Sequence, residues 1–589
     1  MSSFYSDASL VMIPSGYKTS KVYCAKPTDG AADLVFTRSN DTATRVGPDG
    51  LIEKVRTNLL LQSNSFDTTW TNLNTTETSG QAGYDGTNNA WLISATGGSA
   101  GIAQTISQSG MVTQSVYAKA GTSNWMMFRL TDGINNNLTY VDLTNRVFGN
   151  IGPNFVRGTI TDVGGGWSRI SVTINQASYN SFAFYVAFGN GNLSTTNETI
   201  FIQNAQLETG DIATDYIATT SAAVSVGPVA NVPRLDYLGS SCPRLLLEPQ
   251  TTALNQFSEQ IDNAYWTKSN STATANQTAS PSGYVDAELI LDNTSNAQHA
   301  ISTSIAVTSG NKYTASFFLK AAGYTTAAIR MGVGALWTGG TGPTVEFDLV
   351  ALTGTVVDGS GVTFDIEDYG NGWRRCSVTG TCVTSGNTAY SLYVKQYNAY
   401  IGSGTDGVYA WGANITATGY LQSYIPTLGA AVTRGADACV KSSATSIIGQ
   451  TEGVVYFEWE YQNTGSSGGS IPISLDSGSG NEMYFWVQTN GNYLSEGFNG
   501  SVNQFSFSGS MGSFGTKKIA IAYKNNDFAL YINGVLANTD TSGTVPTLNR
   551  LYVGRFYGNT NYNIASGIKQ TLLFKTRLTN AQLAELTTL

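Results

Sequence analysis

LLLQSNSFDTTW (59–70) and LNQFSEQIDNAYW (254–266) open two stretches of this chain that follow the same course. The first passes through GGWSRISVT (165–173) and closes with YIATTSAAVSV (216–226); the second passes through NGWRRCSVT (371–379) and closes with YIPTLGAAVTR (424–434). The pairs Trp70/Trp266, Trp167/Trp373 and Tyr216/Tyr424 lie 196, 206 and 208 residues apart, so the register drifts only through small insertions. A period this long, far above that of solenoid repeats, implies two copies of a complete domain. Duplicated non-catalytic modules point to multivalent display or binding before they point to catalysis.

Working outward, short aromatic and β-branched runs dominate, such as SVYAKA (115–120), FAFYVAFG (182–189), YTASFFLKA (313–321) and YSLYVKQY (390–397). Gly, Asn, Ser and Thr clusters separate them, which reads as strands and turns. About eight such runs per repeat fit a two-sheet jelly roll. The shared tryptophans Trp70, Trp266, Trp167 and Trp373 are read as core. From about residue 450 a third kind of domain begins, with alternating strands at EGVVYFEWEYQ (452–462), NEMYFWVQ (481–488), KKIAIAYK (517–524) and FALYINGVLAN (528–538). Asn533-Gly534 signals a type I′ hairpin, and Thr579 with Gln582 forms a capping box for one terminal helix.

The expected architecture is therefore all-β: two tandem jelly-roll sandwiches and a further β-sandwich, with boundaries at 56–228, 229–445 and 446–589. Residues 1–55 are too few to bury a core of their own and read as an extended anchoring or oligomerisation segment. Residues 229–250 read as a proline-punctuated linker laid along the second repeat.

Composition narrows the function. Charged residues make up 12% of the chain, about half the usual share, and 11% is aromatic, unlike a disordered chain. The formal net charge is −9 without a Lys/Arg-rich run, which opposes nucleic acid as a partner. No apolar run approaches a membrane span, and the start lacks the pattern of a secretory signal. The five cysteines, Cys24, Cys242, Cys376, Cys382 and Cys439, have no metal-type spacing. They read as free buried thiols, with a Cys376–Cys382 pair as the alternative. The lone histidine, His299, reads as a surface or strand-edge residue rather than a catalytic base. No cofactor is expected; the turns offer oxygens for a structural calcium ion, although no DxDxDG loop is present. Forty Asp and Glu residues leave a glycosidase carboxylate pair open.

Several segments resemble tailed-phage fibre and virion-decoration proteins, especially those of phages infecting Bacteroidetes. They are RTNLLLQSNSFDTTW (56–70), PRLLLEPQ (243–250), WGANITATGYLQSYIPTLGAAVTRGAD (411–437) and the opening MIPSGYKTSKVY (12–23). The repeats resemble the carbohydrate-binding-module type of jelly roll. Through FALYINGVL (528–536) and RLTNAQLAEL (577–586), the end resembles a concanavalin A-like (LamG-type) domain. The resemblance implies a non-enzymatic structural protein on the virion surface, on head or tail. It further implies a homo-oligomer, most simply a trimer, bound to other virion proteins through residues 1–55 and attached weakly to host surface polysaccharide. The alternatives are a tail-associated polysaccharide depolymerase and a bacterial secreted lectin. The first copy departs from the pattern at IQNAQLETGDIATDYI (202–217). Sugar-stacking candidates are aromatics found in one repeat only, Trp91, Trp125 and Trp337, with Tyr484, Trp486 and Tyr493 in the last domain.

Overall fold

A computed structural model of the protein describes residues 2–462, 468–478, 480–556 and 564–588. The architecture is all-β; among the described residues the α-helices are two short ones, Ser2–Asp7 and Asn580–Thr588. The chain forms two compact units, one of Val55–Gly227 and one joining Met1–Lys54 to Pro228–Leu589.

Val55–Gly227 is the first repeat. Its two longest strands, Gly101–Ala120 and Trp167–Ala187, pair antiparallel along most of their length. Register shifts near Gly110, whose φ is +73°, mark a bulge. Bulges bend strands, so one ladder supplies both layers of the sandwich. In the second repeat the same two strands are each interrupted, as Ala300–Val307 then Lys312–Ala322 and Arg374–Thr381 then Gly386–Val394. The layers there are separate sheets. Trp70, Trp167, Trp266 and Trp373 are all buried.

The duplication extends to single hydrogen bonds. Ser63 Oγ lies 2.6 Å from Tyr216 Oη and accepts from Thr219 N at 2.9 Å, while its carbonyl accepts from Ala205 N. Ser258 does the same with Tyr424 Oη (2.7 Å), Thr427 N (2.8 Å) and Ala413 N. Each clasp fastens the end of a repeat to its beginning.

The final sandwich is not confined to residues 446–589. One sheet runs Arg234–Asp236, Arg244–Leu247, Ser566–Phe574, Glu452–Tyr461, Gly515–Lys524, Phe528–Ile532 and Val535–Asp540, with Leu10–Met12 paired to Ser566–Phe574. The other includes Lys21–Val22, Leu34–Thr37, Ala438–Lys441, Arg550–Val553, Ser470–Asp476, Glu482–Val487, Asn492–Asn499 and Val502–Ser510. Leu10, Met12, Leu34, Phe36, Leu235, Leu245 and Leu247 share one core with Phe457, Trp459 and Phe485. Residues 1–55 are therefore not a separate extended segment, and 229–250 are not a linker lying on the second repeat. Each contributes strands to a sandwich completed hundreds of residues later. Both repeats are insertions in it. Their ends are tied by short ladders, Arg56–Asn58 with Val224–Val226 and Thr251–Ala253 with Val432–Arg434.

The local signals behave as expected. Asn533 and Gly534 both have positive φ between paired strands. Thr579 Oγ1 accepts from Gln582 N while Gln582 Oε1 accepts from Thr579 N. Four cysteines are buried and Cys242 is exposed; all five are free, Cys376 and Cys382 included. Cys242 thus departs from the buried-thiol expectation because it falls in a turn outside the sheets.

Candidate functional site

Alternation along Glu482–Val487 sends Met483, Phe485 and Val487 into the core and leaves Glu482, Tyr484 and Trp486 half-buried on the outward face. On the neighbouring strand Leu494, Glu496 and Phe498 share that face. Tyr484 stands opposite Glu496, which stands opposite Ser506; Asp476 stands opposite both Glu482 and Arg550.

Polar groups on this face are held firmly. Glu496 accepts hydrogen bonds from Tyr484 Oη (2.5 Å), Asn503 Nδ2 (3.1 Å) and Ser506 Oγ (3.1 Å). Asp476 forms an ion pair with Arg550. Burial, then the charges of Asp476 and Glu496, push the Glu482 carboxyl above its ordinary range. The Tyr484 ring lies near-parallel to Phe498 at 6.4 Å and meets Phe556 edge-on at 5.4 Å. Trp486 Nε1 donates to the Gly468 carbonyl at 2.8 Å. Aromatic faces beside fixed acceptors and amide donors suit a ring that is apolar on one side and hydroxylated at its rim.

The six sequence candidates divide. Tyr484 and Trp486 lie together on this face. Tyr493 does not: it is 5% exposed and points inward beside Phe485. Trp91 packs edge-on against Phe66 and donates to the Asn64 carbonyl. Trp337 is fully buried, its Nε1 donating to the Gly332 carbonyl at 3.0 Å. Trp91, Trp337 and Tyr493 therefore leave no ring face for a sugar. Occurrence in one repeat proved a poor guide, because each repeat fills its core with its own large residues.

Trp125 is half-buried on an outward sheet face of the first repeat, packed with Met127, Tyr140 and Tyr185. On that face Arg129 Nη1 donates to Tyr185 Oη at 2.9 Å. The second repeat carries Arg330 and Tyr393 at the corresponding positions, and Arg330 lies 4.4 Å from the Tyr397 ring centroid. These recurring residues of the outward sheet face escaped a search for non-recurring aromatics. Alignment of the two strands at Tyr185 and Tyr393 was the available signal.

His299 is not at the surface. It is fully buried, with Nδ1 2.7 Å from the Asn270 carbonyl and Nε2 3.3 Å from that of Tyr400. Neighbouring strand ends enclose it, and among the described residues no serine or cysteine nucleophile bonds to its ring nitrogens. Among the described residues no group of three His, Cys, Asp or Glu side chains is arranged to hold a metal ion.

Neither a protein-family model nor a curated protein matches the chain. Among solved structures it is similar to the CBM40 of the Ruminococcus gnavus IT-sialidase bound to α2,3-sialyllactose, at 16% identity, 24% of this chain, 84% of that one and a TM-score of 0.21. It is also similar to the CBM22-1–CBM22-2 tandem domain of Paenibacillus barcinonensis Xyn10C, at 13% identity, 61% and 98% coverage and a TM-score of 0.21. A third is the native heptameric SAP-like pentraxin of Limulus polyphemus, at 12% identity, 23% and 69% coverage and a TM-score of 0.20. At such scores the likenesses carry no argument about ligands, and the outward faces must be read from their own side chains.

Proposed function

We propose that the protein is a structural and binding component of a phage virion that attaches weakly and multivalently to host surface glycans. The observation carrying this reading is the outward face of the final sandwich, which carries Tyr484, Trp486 and the Glu496 carboxylate, the last held by three donors of which Tyr484 is one. One shallow site of this kind binds at around millimolar, or about −4 kcal/mol. Display on an oligomer, a trimer in the simplest case, and over many copies per particle raises avidity on the order of 10²–10⁴. The virion assignment is supported by the sequence resemblance alone. Full-length protein on immobilised host polysaccharide is the test: Tyr484→Ala and Trp486→Ala should each weaken capture, and capture unchanged in both would remove the face from the function.

A second reading, polysaccharide cleavage, is favoured by one observation. Glu482 and Glu496 occupy diagonal positions on one face of adjacent strands, and a glycosidase uses two carboxyl groups flanking the scissile bond. Glu482, shifted upward, is the acid of such a pair, and Glu496 is the base. Release of new reducing ends, lost in both Glu482→Gln and Glu496→Gln, would establish it; intact polysaccharide after prolonged incubation would leave attachment as the function.

A further inference from the structure

The second repeat shows what its other outward sheet face is built to hold. Phe318 stands opposite Arg375 and Trp411 there, with the Arg375 guanidinium 5.2 Å from the Phe318 ring centroid. The hairpin of Thr44–Val46 and Ile52–Lys54 covers this face, burying Val46 and Ile52 against Phe318, Trp373, Trp411 and Tyr424.

The first repeat has the same scaffold. Tyr117 stands opposite Arg169 and Gln203, and the Arg169 guanidinium lies 5.5 Å from its ring centroid. Lys119 lies one step along, over Phe201. The bulge residues Asn204 and Gly412 both have positive φ, at +56° and +61°. The place taken by an apolar hairpin in the second repeat is taken here by a single ring: Tyr84 stacks on Tyr117 at 3.7 Å with 2° between the planes.

Tyr84 is held flat. Its hydroxyl accepts from Asn204 Nδ2 at 3.2 Å, and its backbone N–H donates to Gln203 Oε1 at 3.1 Å. Gln203 is fully buried and also donates to Asp85 and Asn89 of the same loop. Tyr84 is half-exposed, while Asp85 and Asn89 are exposed. Among the described residues the only ring stacked on Tyr84 is Tyr117, on its inner side. A pre-oriented aromatic face beside an exposed carboxylate and an exposed amide of its own loop has low ordering cost on binding.

We propose that the outer face of Tyr84 is a second glycan site, one that stacks the C–H face of a β-linked glucosyl or galactosyl ring while Asp85 and Asn89 reach its hydroxyls. This rests on the glycan-attachment reading but concerns a different domain from the Tyr484 face. In the first repeat the scaffold that seats a hairpin elsewhere has become an open platform.

The test uses full-length protein on immobilised β-glucan and β-galactan, in a Tyr484→Ala background that silences the other face. Adding Tyr84→Ala should weaken the remaining capture about tenfold, as expected for an aromatic anchor, and Tyr84→Phe should stay within about twofold. Because Tyr84→Ala also uncovers Tyr117, a second measurement uses the native ring: with fluorotyrosine incorporated, the Tyr84 signal should shift on adding cellohexaose or a β-galactan oligosaccharide. Capture unchanged by Tyr84→Ala, or an unmoved Tyr84 signal, overturns the site; if Tyr484→Ala alone still lowers capture, the attachment reading survives. No capture of either polysaccharide by the unmodified protein overturns the site, while the attachment reading stands or falls on capture by host polysaccharide.

Discussion

Arg234 and Asp437 form an ion pair across 203 residues of sequence, with neither side chain exposed to solvent. Arg38 reaches the same carboxylate at 3.1 Å. Glu248 bridges Arg234 at 2.6 Å and Arg434 at 2.8 Å. The five residues come from before the first repeat, from between the repeats, and from the closing strand of the second repeat and the segment after it. They fix the crossing point of three chain segments within one unit.

Removing one member should therefore be costly. Asp437→Ala leaves Arg38 buried without its carboxylate and Arg234 with Glu248 alone, and breaking a buried pair in this way costs about 3–5 kcal/mol. Urea unfolding of the full chain should show a large fall in the midpoint for the larger unit. An unmoved transition would mean the cluster adds nothing.

Acid should attack the same place. Burial works to raise the Glu248 carboxyl, but Arg434 and Arg234 outweigh it and hold its pKa at about 2. An unfolded glutamate titrates near about 4.3. The folded value is the depressed one, so this contribution is complete above about 4.3 and is lost as pH falls toward 2. The melting temperature should drop between pH 5 and pH 2, and Glu248→Gln, already weakened at neutral pH, should show a shallower drop. Parallel curves would refute the assignment.

Core and surface tryptophans should separate cleanly. Trp266, 1% exposed among Phe317 and Tyr390, should cost about 3–5 kcal/mol as Trp266→Ala. Trp486→Ala should cost far less stability and show its effect in polysaccharide capture. Chemical denaturation and capture on the same two variants decide this.

The first repeat should be removable. Arg56 pairs with Val226, so the two ends enter and leave side by side, the geometry in which domain insertions are tolerated. Joining Lys54 to Pro228 should leave a folded remainder with native-like circular dichroism and a cooperative melt, and residues 55–227 should fold when expressed separately. Aggregation of the remainder would show that the insertion is structurally required.

The duplication was legible because long stretches with matched tryptophans and tyrosines leave little freedom of alignment. The capping box and the Asn533-Gly534 turn were legible because they are local. Strands such as Leu10–Met12 and Arg244–Leu247, of three and four residues, were not. So short a run carries no period, and its strand state comes from the ladder it joins. At the candidate face, Tyr484 and Trp486 share a side because they sit two residues apart in one strand. Tyr493 alternates just as regularly, but which of its two faces meets the core depends on pairing with Glu482–Val487. Glu482 and Glu496 become neighbours only through that register, and Tyr84 meets Tyr117 only through the fold of its loop.

Ser9 donates to the carbonyl of Leu573, 564 residues further on. At roughly 5–20 residues per second of synthesis, the first strands wait about half a minute to two minutes for their partners to leave the ribosome. In that interval both inserted repeats emerge whole, each able to close on its own clasp. The parent sandwich, first to begin, is last to form, so any stall late in translation leaves two finished modules trailing from an unfinished base.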